Sequence, residues 1–200
     1  MKDLAKLLET TTKGTGDSDK HILTLFSLAV GAGAKNIIEL GVRDGQTTLP
    51  LVMAAKHNGG KLYSVDIKPQ PDTISKDYLS HLEYHQKDTI EFLSEWNSEK
   101  DIDFIFIDDW HSYEHVKKEL EILDTLVSPR TLIVLHDLMY GNTCPFYHVD
   151  LSVTTGQWAS GGPYRAVAEL NPQFWEYATI PYNNGLTLLR KKYSNKFKQK

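Results

Sequence analysis

The sequence predicts an α/β protein: a doubly wound, mostly parallel sheet that finishes in an antiparallel hairpin. Three observations point there. Residues 102–108 (IDFIFID) and 131–136 (TLIVLH) are nearly continuous apolar runs ending in polar residues, the composition of central strands buried on both faces. Between them, Tyr113–Leu126 carries Val116, Leu120 and Leu123 on one face and charge on the other, which makes a crossover helix. Near the end, Asn183-Asn184-Gly185 joins two β-rich segments, 174–180 and 186–190, with the turn chemistry of a hairpin at a sheet edge.

The remaining elements follow in order. Met1 to Glu9 alternates Lys and Asp with Leu in a helical pattern, and Asp17, Ser18 and Asp19 are expected N-caps for a helix over 21–30, where Ile22, Leu25, Phe26 and Ala29 recur at helical spacing. Asn36–Leu40 reads as a strand, 41–45 as a glycine loop, and 47–57 as a helix closed by Asn58-Gly59-Gly60. The alternation repeats with strands at Lys61–Asp66 and Leu82–Gln86 and helices at 75–81 and 89–96. Residues 138–162 lack periodicity and are too long for an ordinary connection, so they form a candidate lid or substrate loop. A helix is expected over 163–170. The length of 200 residues suits one domain over 1–200, with N-terminal helices in 1–33.

Composition removes several functions. A net charge of −4 gives no electrostatic reason to bind nucleic acid, and the basic stretch 190–200 reads as a solvated end. Cys144 is the single cysteine, so no intramolecular disulfide forms, in keeping with a reducing compartment. The N-terminus lacks the apolar core of a signal peptide, and no run of about 18 apolar residues predicts a membrane helix, which leaves the cytoplasm as the expected location. A homodimer, if formed, is expected through the N-terminal helix or the edge hairpin.

In an open parallel sheet, ligands sit beyond the carboxyl ends of the strands. Here those ends carry Glu39, Asp66, Asp108, His136 and Asp137. So many acids converging on one edge need a compensating cation, which a sulfonium cofactor or a metal supplies. The first turn, ELGVRDG, lacks the G-x-G-x-x-G series that brings a backbone close to a pyrophosphate. With two glycines four apart it suits an amino-acid moiety instead, Gly41 permitting close approach, Gly45 and Thr47 completing the loop, and Glu39 fixing either the loop or an ammonium group. Asp66 is placed to accept from both ribose hydroxyls. Asp88 either meets an adenine or caps the helix that follows it.

The segments IIELGVRDGQTT, LYSVDI, FIFIDDWHSYEHV and LIVLHD resemble the successive motifs of class I S-adenosylmethionine-dependent methyltransferases, which have a Rossmann-like fold. The resemblance is to the metal-dependent small-molecule O-methyltransferases, the catechol O-methyltransferase type and the macrolide-sugar and cephalosporin-pathway relatives. It spans roughly Asn36 to Asp137. It implies S-adenosylmethionine as cofactor, a divalent metal such as Mg²⁺ or Mn²⁺ held by Asp108, His136 and Asp137, and a small hydroxylated acceptor. It also implies His111, three residues past the metal acid Asp108, as general base. The chain departs from the family in carrying His136 where relatives have an acid, which favours Mn²⁺, Zn²⁺ or a related ion over Mg²⁺. Pro129-Arg130-Thr131 also stands where Pro-Gly-Gly is usual.

Other readings fit parts of the pattern. A nicotinamide-dependent oxidoreductase would use Asp66 equally well, although the two-glycine loop argues against it, and a non-catalytic binding module would share the fold. His111-Ser-Tyr-Glu114-His115 matches the inverted zinc-protease signature H-x-x-E-H, but it follows a buried parallel strand directly, and Glu114 is expected to pair with Lys118 on the crossover helix. Trp110, Tyr140, Phe146, Tyr147 and Trp158 are the aromatic residues expected to line an acceptor pocket.

Overall fold

A computed structural model describes residues 2–139, 156 and 159–193. Five parallel strands, β1 (Asn36–Leu40), β2 (Lys61–Asp66), β3 (Leu82–Gln86), β4 (Phe104–Ile107) and β5 (Leu132–His136), are followed by the antiparallel pair β6 (Trp175–Ile180) and β7 (Leu186–Lys191). They form one sheet in the order β3-β2-β1-β4-β5-β7-β6, with β7 inserted antiparallel between β5 and β6. The described helices are α1 (Lys2–Lys13), α2 (Ile22–Gly31), α3 (Thr48–Asn58), α4 (Thr89–Ser94), α5 (Tyr113–Leu126) and α6 (Gly162–Ala168). This is the Rossmann-like architecture that the sequence predicts. No helix among the described residues is long and apolar enough to cross a membrane.

Strand alternation explains why both faces are covered. Ile38, Leu40, Ile105, Ile107, Ile133 and Leu135 point to one face and join Phe92, Val116, Leu120 and Leu123 from α4 and α5. Ile37, Phe104, Phe106 and Val134 point to the other, against Leu25 and Ala29 of α2 and Leu51 and Val52 of α3. A strand with two buried faces has no room for alternating polarity, which is why β4 and β5 read as nearly continuous apolar runs. The chain builds β1, β2 and β3 outward, then returns to place β4 beside β1. The carboxyl ends of β1 and β4 therefore flank the point where the strand order reverses, the usual crevice of such a sheet.

Several local expectations are corrected. A 3₁₀ turn over Asp19–His21 precedes α2, and neither Ser18 nor His21 caps it with a side chain. Asp19 instead turns back to accept from the Gly16 amide at 2.6 Å. The helix expected over 75–81 is a 3₁₀ turn at Lys76–His81, capped by the Ser75 hydroxyl. Lys118 lies 3.8 Å from Glu121 rather than pairing with Glu114. The basic end is not wholly solvated: Lys191 is 1% exposed and its Nζ lies 3.0 Å from Asp124 Oδ1, anchoring β7 to α5. Thr131, standing where the resemblance expects glycine, donates its hydroxyl to the Ile102 carbonyl at 2.7 Å. Cys144 and most of the candidate lid, residues 140–155, 157 and 158, fall outside the described residues.

Candidate active site

A cleft of about 640 Å³ opens at the carboxyl edge, lined among others by Gly41, Asp66, Asp88, Asp108, His111 and Asp137. Gly41 sets its floor. Its φ is +87°, and a β-carbon there would lie 2.2 Å from the Asp108 carbonyl oxygen, so the ends of β1 and β4 meet at a separation only glycine allows. Thr47 also lines the cleft. Gly45, with φ +79°, closes a turn from its amide to the Val42 carbonyl and faces Thr73 and Pro71, away from the cleft lining.

Glu39 is fully buried and lies behind the loop rather than in the cleft lining. Its carboxylate accepts hydroxyl hydrogen bonds from Thr47 (2.7 Å), Thr48 (2.8 Å) and Ser64 (2.5 Å), tying the start of α3 to β1 and β2. Burial pushes its pKa up to about 7, against the pull of those three donors. For an acid whose pKa is raised in the folded state, the associated stability is present below the ordinary value of 4.5 and is lost as pH rises toward about 7. We expect Glu39→Gln to remove about 3 kcal/mol of this pH dependence. Urea midpoints of both proteins at about pH 5 and about pH 8 measure it; parallel shifts in the two would contradict the assignment.

Asp66 lines the cleft and organises two loops at once. Its Oδ2 accepts from the Val42 and Arg43 amides, both at 2.9 Å, and its Oδ1 accepts from the Lys68 amide at 2.9 Å. A carboxylate offers about four acceptor positions, so one remains for a ligand hydroxyl. Asp88 caps α4, accepting from the Ile90 amide at 2.9 Å and the Glu91 amide at 3.1 Å, while still lining the cleft. Arg43, at φ +48°, makes a bidentate pair with Asp17 at 2.9 and 3.0 Å, which fastens the N-terminal segment to the loop after β1.

Asp108, His111, His136 and Asp137 come together at the carboxyl ends of β4 and β5. His111 Nε2 lies 3.3 Å from Asp108 Oδ1 and 3.1 Å from Asp137 Oδ2. His136 Nδ1 lies 3.5 Å from Asp108 Oδ1 and 3.4 Å from Asp137 Oδ1. One donor atom each from Asp108, His111 and Asp137 falls within 4.8 Å of the others, spacing that suits a metal ion. Asp137 holds φ +65°, an unusual conformation for a non-glycine residue, and its amide donates to the Gly185 carbonyl at 3.2 Å. The β6–β7 turn thus reaches the floor of the site: His136 Nε2 lies 3.0 Å from the Asn183 carbonyl, and His21 Nε2 lies 3.0 and 3.1 Å from the carbonyls of Tyr182 and Asn183.

Charge follows from these contacts. Burial opposes ionisation of both acids, but His111 and His136 outweigh it and hold Asp108 and Asp137 below their ordinary range. The same contacts, against burial, raise His111 to about 9 and His136 well above its usual value. Burial and the neighbouring His136 lower His21. Without another cation, protons on His111 and His136 balance the two carboxylates.

The H-x-x-E-H string divides between two places. His111 joins Asp108 and Asp137, whereas His115 turns to Asp109 and Glu119, and Glu114 is exposed. The second group, with Thr89, was not read from the sequence, although the His115 to Glu119 spacing of one helical turn and the doubled acid at 108–109 were its available signals. In the sequence His21 reads only as the start of a helix. Trp110 sits 49% exposed at the cleft rim, and Tyr140, Phe146, Tyr147 and Trp158 lie outside the described residues.

A family model described as a methyltransferase domain matches residues 38–138, from the core of β1 to just past Asp137. The chain belongs to this methyltransferase family. Solved structures similar to the methyltransferase include the S-adenosylhomocysteine-bound enzyme PaMTH1 of Podospora anserina, at 18% identity and TM-score 0.66, covering 96% of this chain and 88% of that one. An O-methyltransferase of Bacillus cereus in complex with S-adenosylhomocysteine aligns at 17% identity and TM-score 0.64, covering 96% and 91%. TomG of Streptomyces achromogenes, an O-methyltransferase of tomaymycin synthesis in complex with S-adenosylmethionine, aligns at 14% and 0.66, covering 96% and 90%. Such identities establish the shared fold. No curated protein matches the chain. The family match decides against the oxidoreductase reading.

Proposed function

We propose that this methyltransferase transfers a methyl group from S-adenosylmethionine to a hydroxyl of a small molecule, with a divalent ion at Asp108, His136 and Asp137 and with His111 as base. The observation that carries the reading is the meeting of those four side chains at the carboxyl edge of the sheet, with Asp108, His111 and Asp137 in the lining of the cleft that Gly41 floors and His136 buried behind them. Similar structures bound to S-adenosylmethionine or its spent form, and named O-methyltransferases, support the choice of donor and atom.

The residues fit a divalent ion. The contact of His136 Nε2 with the Asn183 carbonyl places the N–H on that nitrogen, so in the neutral ring Nδ1 is a lone pair facing two carboxylates. His136 Nδ1 and Asp137 Oδ1 are both buried without a hydrogen-bond partner, an arrangement that a cation between them resolves. Such an ion supplies Lewis acidity that lowers the pKa of an acceptor hydroxyl. The donor brings an already activated methyl group, which leaves alignment and proton transfer to the protein. His111 is protonated while it balances the two carboxylates, and it becomes a neutral acceptor of the hydroxyl proton once another cation takes that charge. Asp66 has one acceptor position left after the Val42, Arg43 and Lys68 amides, which takes one ribose hydroxyl rather than both, and Gly41 leaves room for the donor's amino-acid end.

Calorimetric titration with S-adenosylmethionine, S-adenosylhomocysteine and NAD(P), followed by donor-consumption assays with varied metals and hydroxylated acceptors, tests the proposal; absence of heat with the methyl donor and its spent form would sink it. In the same titrations Asp66→Ala should weaken donor binding roughly 10- to 100-fold through lost charge-assisted hydrogen bonds. Unaltered affinity would remove Asp66 from the cofactor site.

A further inference from the structure

Beside the proposed centre lies a second group of ligand-type side chains. Thr89 opens α4, Asp109 follows β4, and His115 and Glu119 stand one turn apart on α5. Thr89 Oγ1 lies 2.7 Å from Asp109 Oδ2, 2.7 Å from Glu119 Oε1 and 3.0 Å from His115 Nε2. His115 Nε2 is also 2.8 Å from Asp109 Oδ2 and 3.5 Å from Glu119 Oε1. Five close contacts thus converge on four atoms. The hydroxyl brings one hydrogen, the imidazole nitrogen at most one, and Glu119, which burial raises to about 8, one more when protonated, so hydrogen bonding satisfies at most three of the five.

An independent observation points the same way. Glu119 is completely buried, its carboxylate aimed into the group, and its Oε2 has no hydrogen-bond partner; Asp109 Oδ1 is likewise buried and unpartnered. A buried carboxylate with an unused oxygen is costly unless it takes up a proton or a cation compensates it, and a metal ion would displace that proton. The ligand atoms of Asp109, His115 and Glu119 lie within 4.8 Å of one another. Thr89, Asp109 and His115 line the cleft, which gives an ion a path from solvent.

We propose that Asp109, His115 and Glu119, with the Thr89 hydroxyl, form a second divalent-metal site, separate from the one at Asp108, His136 and Asp137. One imidazole nitrogen among carboxylate oxygens selects a borderline transition ion such as Zn²⁺ or Mn²⁺ over Mg²⁺, which keeps oxygen ligands and several waters. An ion there joins the first turn of α4, the β4–α5 loop and α5, the segments that carry Asp109 and hold Asp108 and His111 in place.

The test uses the full chain and Zn²⁺ alone, with no donor or acceptor, so its result is independent of the proposed reaction. In a variant lacking the first site (His136→Ala with Asp137→Asn), calorimetry should still find one Zn²⁺ per chain and Zn²⁺ should still raise Tm. Adding Glu119→Gln, which preserves volume, should weaken that binding roughly 100-fold or more and abolish the Tm rise, and His115→Gln on the same background should do the same. Replacing Zn²⁺ by Co²⁺ should give a visible absorption band in the first-site variant that is lost with Glu119→Gln. Absence of Zn²⁺ binding in a folded first-site variant overturns the proposal, as does binding there that both Glu119→Gln and His115→Gln leave unchanged.

Discussion

His111→Ala should lower kcat by roughly 10²- to 10⁴-fold, the usual contribution of a positioned general base, while leaving the Kd for S-adenosylhomocysteine within about twofold. The expectation rests on position: Nε2 sits 3.1 and 3.3 Å from carboxylate oxygens in the lining of the cleft, past the loop proposed to take the cofactor. The pH profile adds a sign. His111 rises to about 9 when the two carboxylates alone surround it. A cation on those acids opposes a second positive charge, so the metal-loaded enzyme should gain activity with pH through a midpoint below about 9, and that limb should vanish in the variant. Two outcomes remove the assignment: turnover that survives the substitution, and loss of bound Mn²⁺ in parallel with activity, which makes His111 a ligand instead.

Gly41→Ala should cost at least about 3 kcal/mol of stability, and donor binding should fall with it. The new β-carbon would stand 2.2 Å from the Asp108 carbonyl oxygen, 2.6 Å from its carbon and 2.8 Å from Asp109 Cα, all backbone atoms at the end of β4. Asp108 directly follows β4 and its amide is held by the Leu40 carbonyl at 2.8 Å, so that backbone has little freedom to yield. Gly33 is the control. Its φ is +63° but nothing lies within 4 Å of a β-carbon there, so Gly33→Ala should cost only about 1 kcal/mol. Thermal unfolding of both variants measures the difference, and equal losses would show that left-handed backbone, not the β1–β4 contact, is what glycine supplies at position 41.

How much of this was legible in the sequence depends on which physical signal each residue leaves. β4 and β5 were plain because burial on two faces forces unbroken runs such as FIFI and LIVLH. The positions of Asp108, His136 and Asp137 are legible for a related reason, since each stands where such a run ends at the carboxyl edge of the sheet. Glu39 was legible as a strand terminus, but its three hydroxyl partners come from α3 and β2, and no local pattern records that they meet. The group around Glu119 was hidden differently. Its members belong to α4, α5 and the loop after β4, and an acid on an amphipathic helix looks solvated until the tertiary packing turns it inward. Lys191 misled for the same reason, a basic residue in a basic stretch whose ammonium lies against α5. His21 and Tyr182, far apart in the chain, meet only when β7 docks on β5.

That last docking has a consequence for synthesis. Ribosomes deliver residues in order, and everything the family model matches, 38–138, is made before the turn at Asn183 whose carbonyl fixes the His136 ring. A nascent polypeptide can therefore assemble β1 to β5 early, yet His136 stays unoriented until β7 has emerged and paired with β5. Competence for the proposed chemistry therefore arrives last, with the closing hairpin.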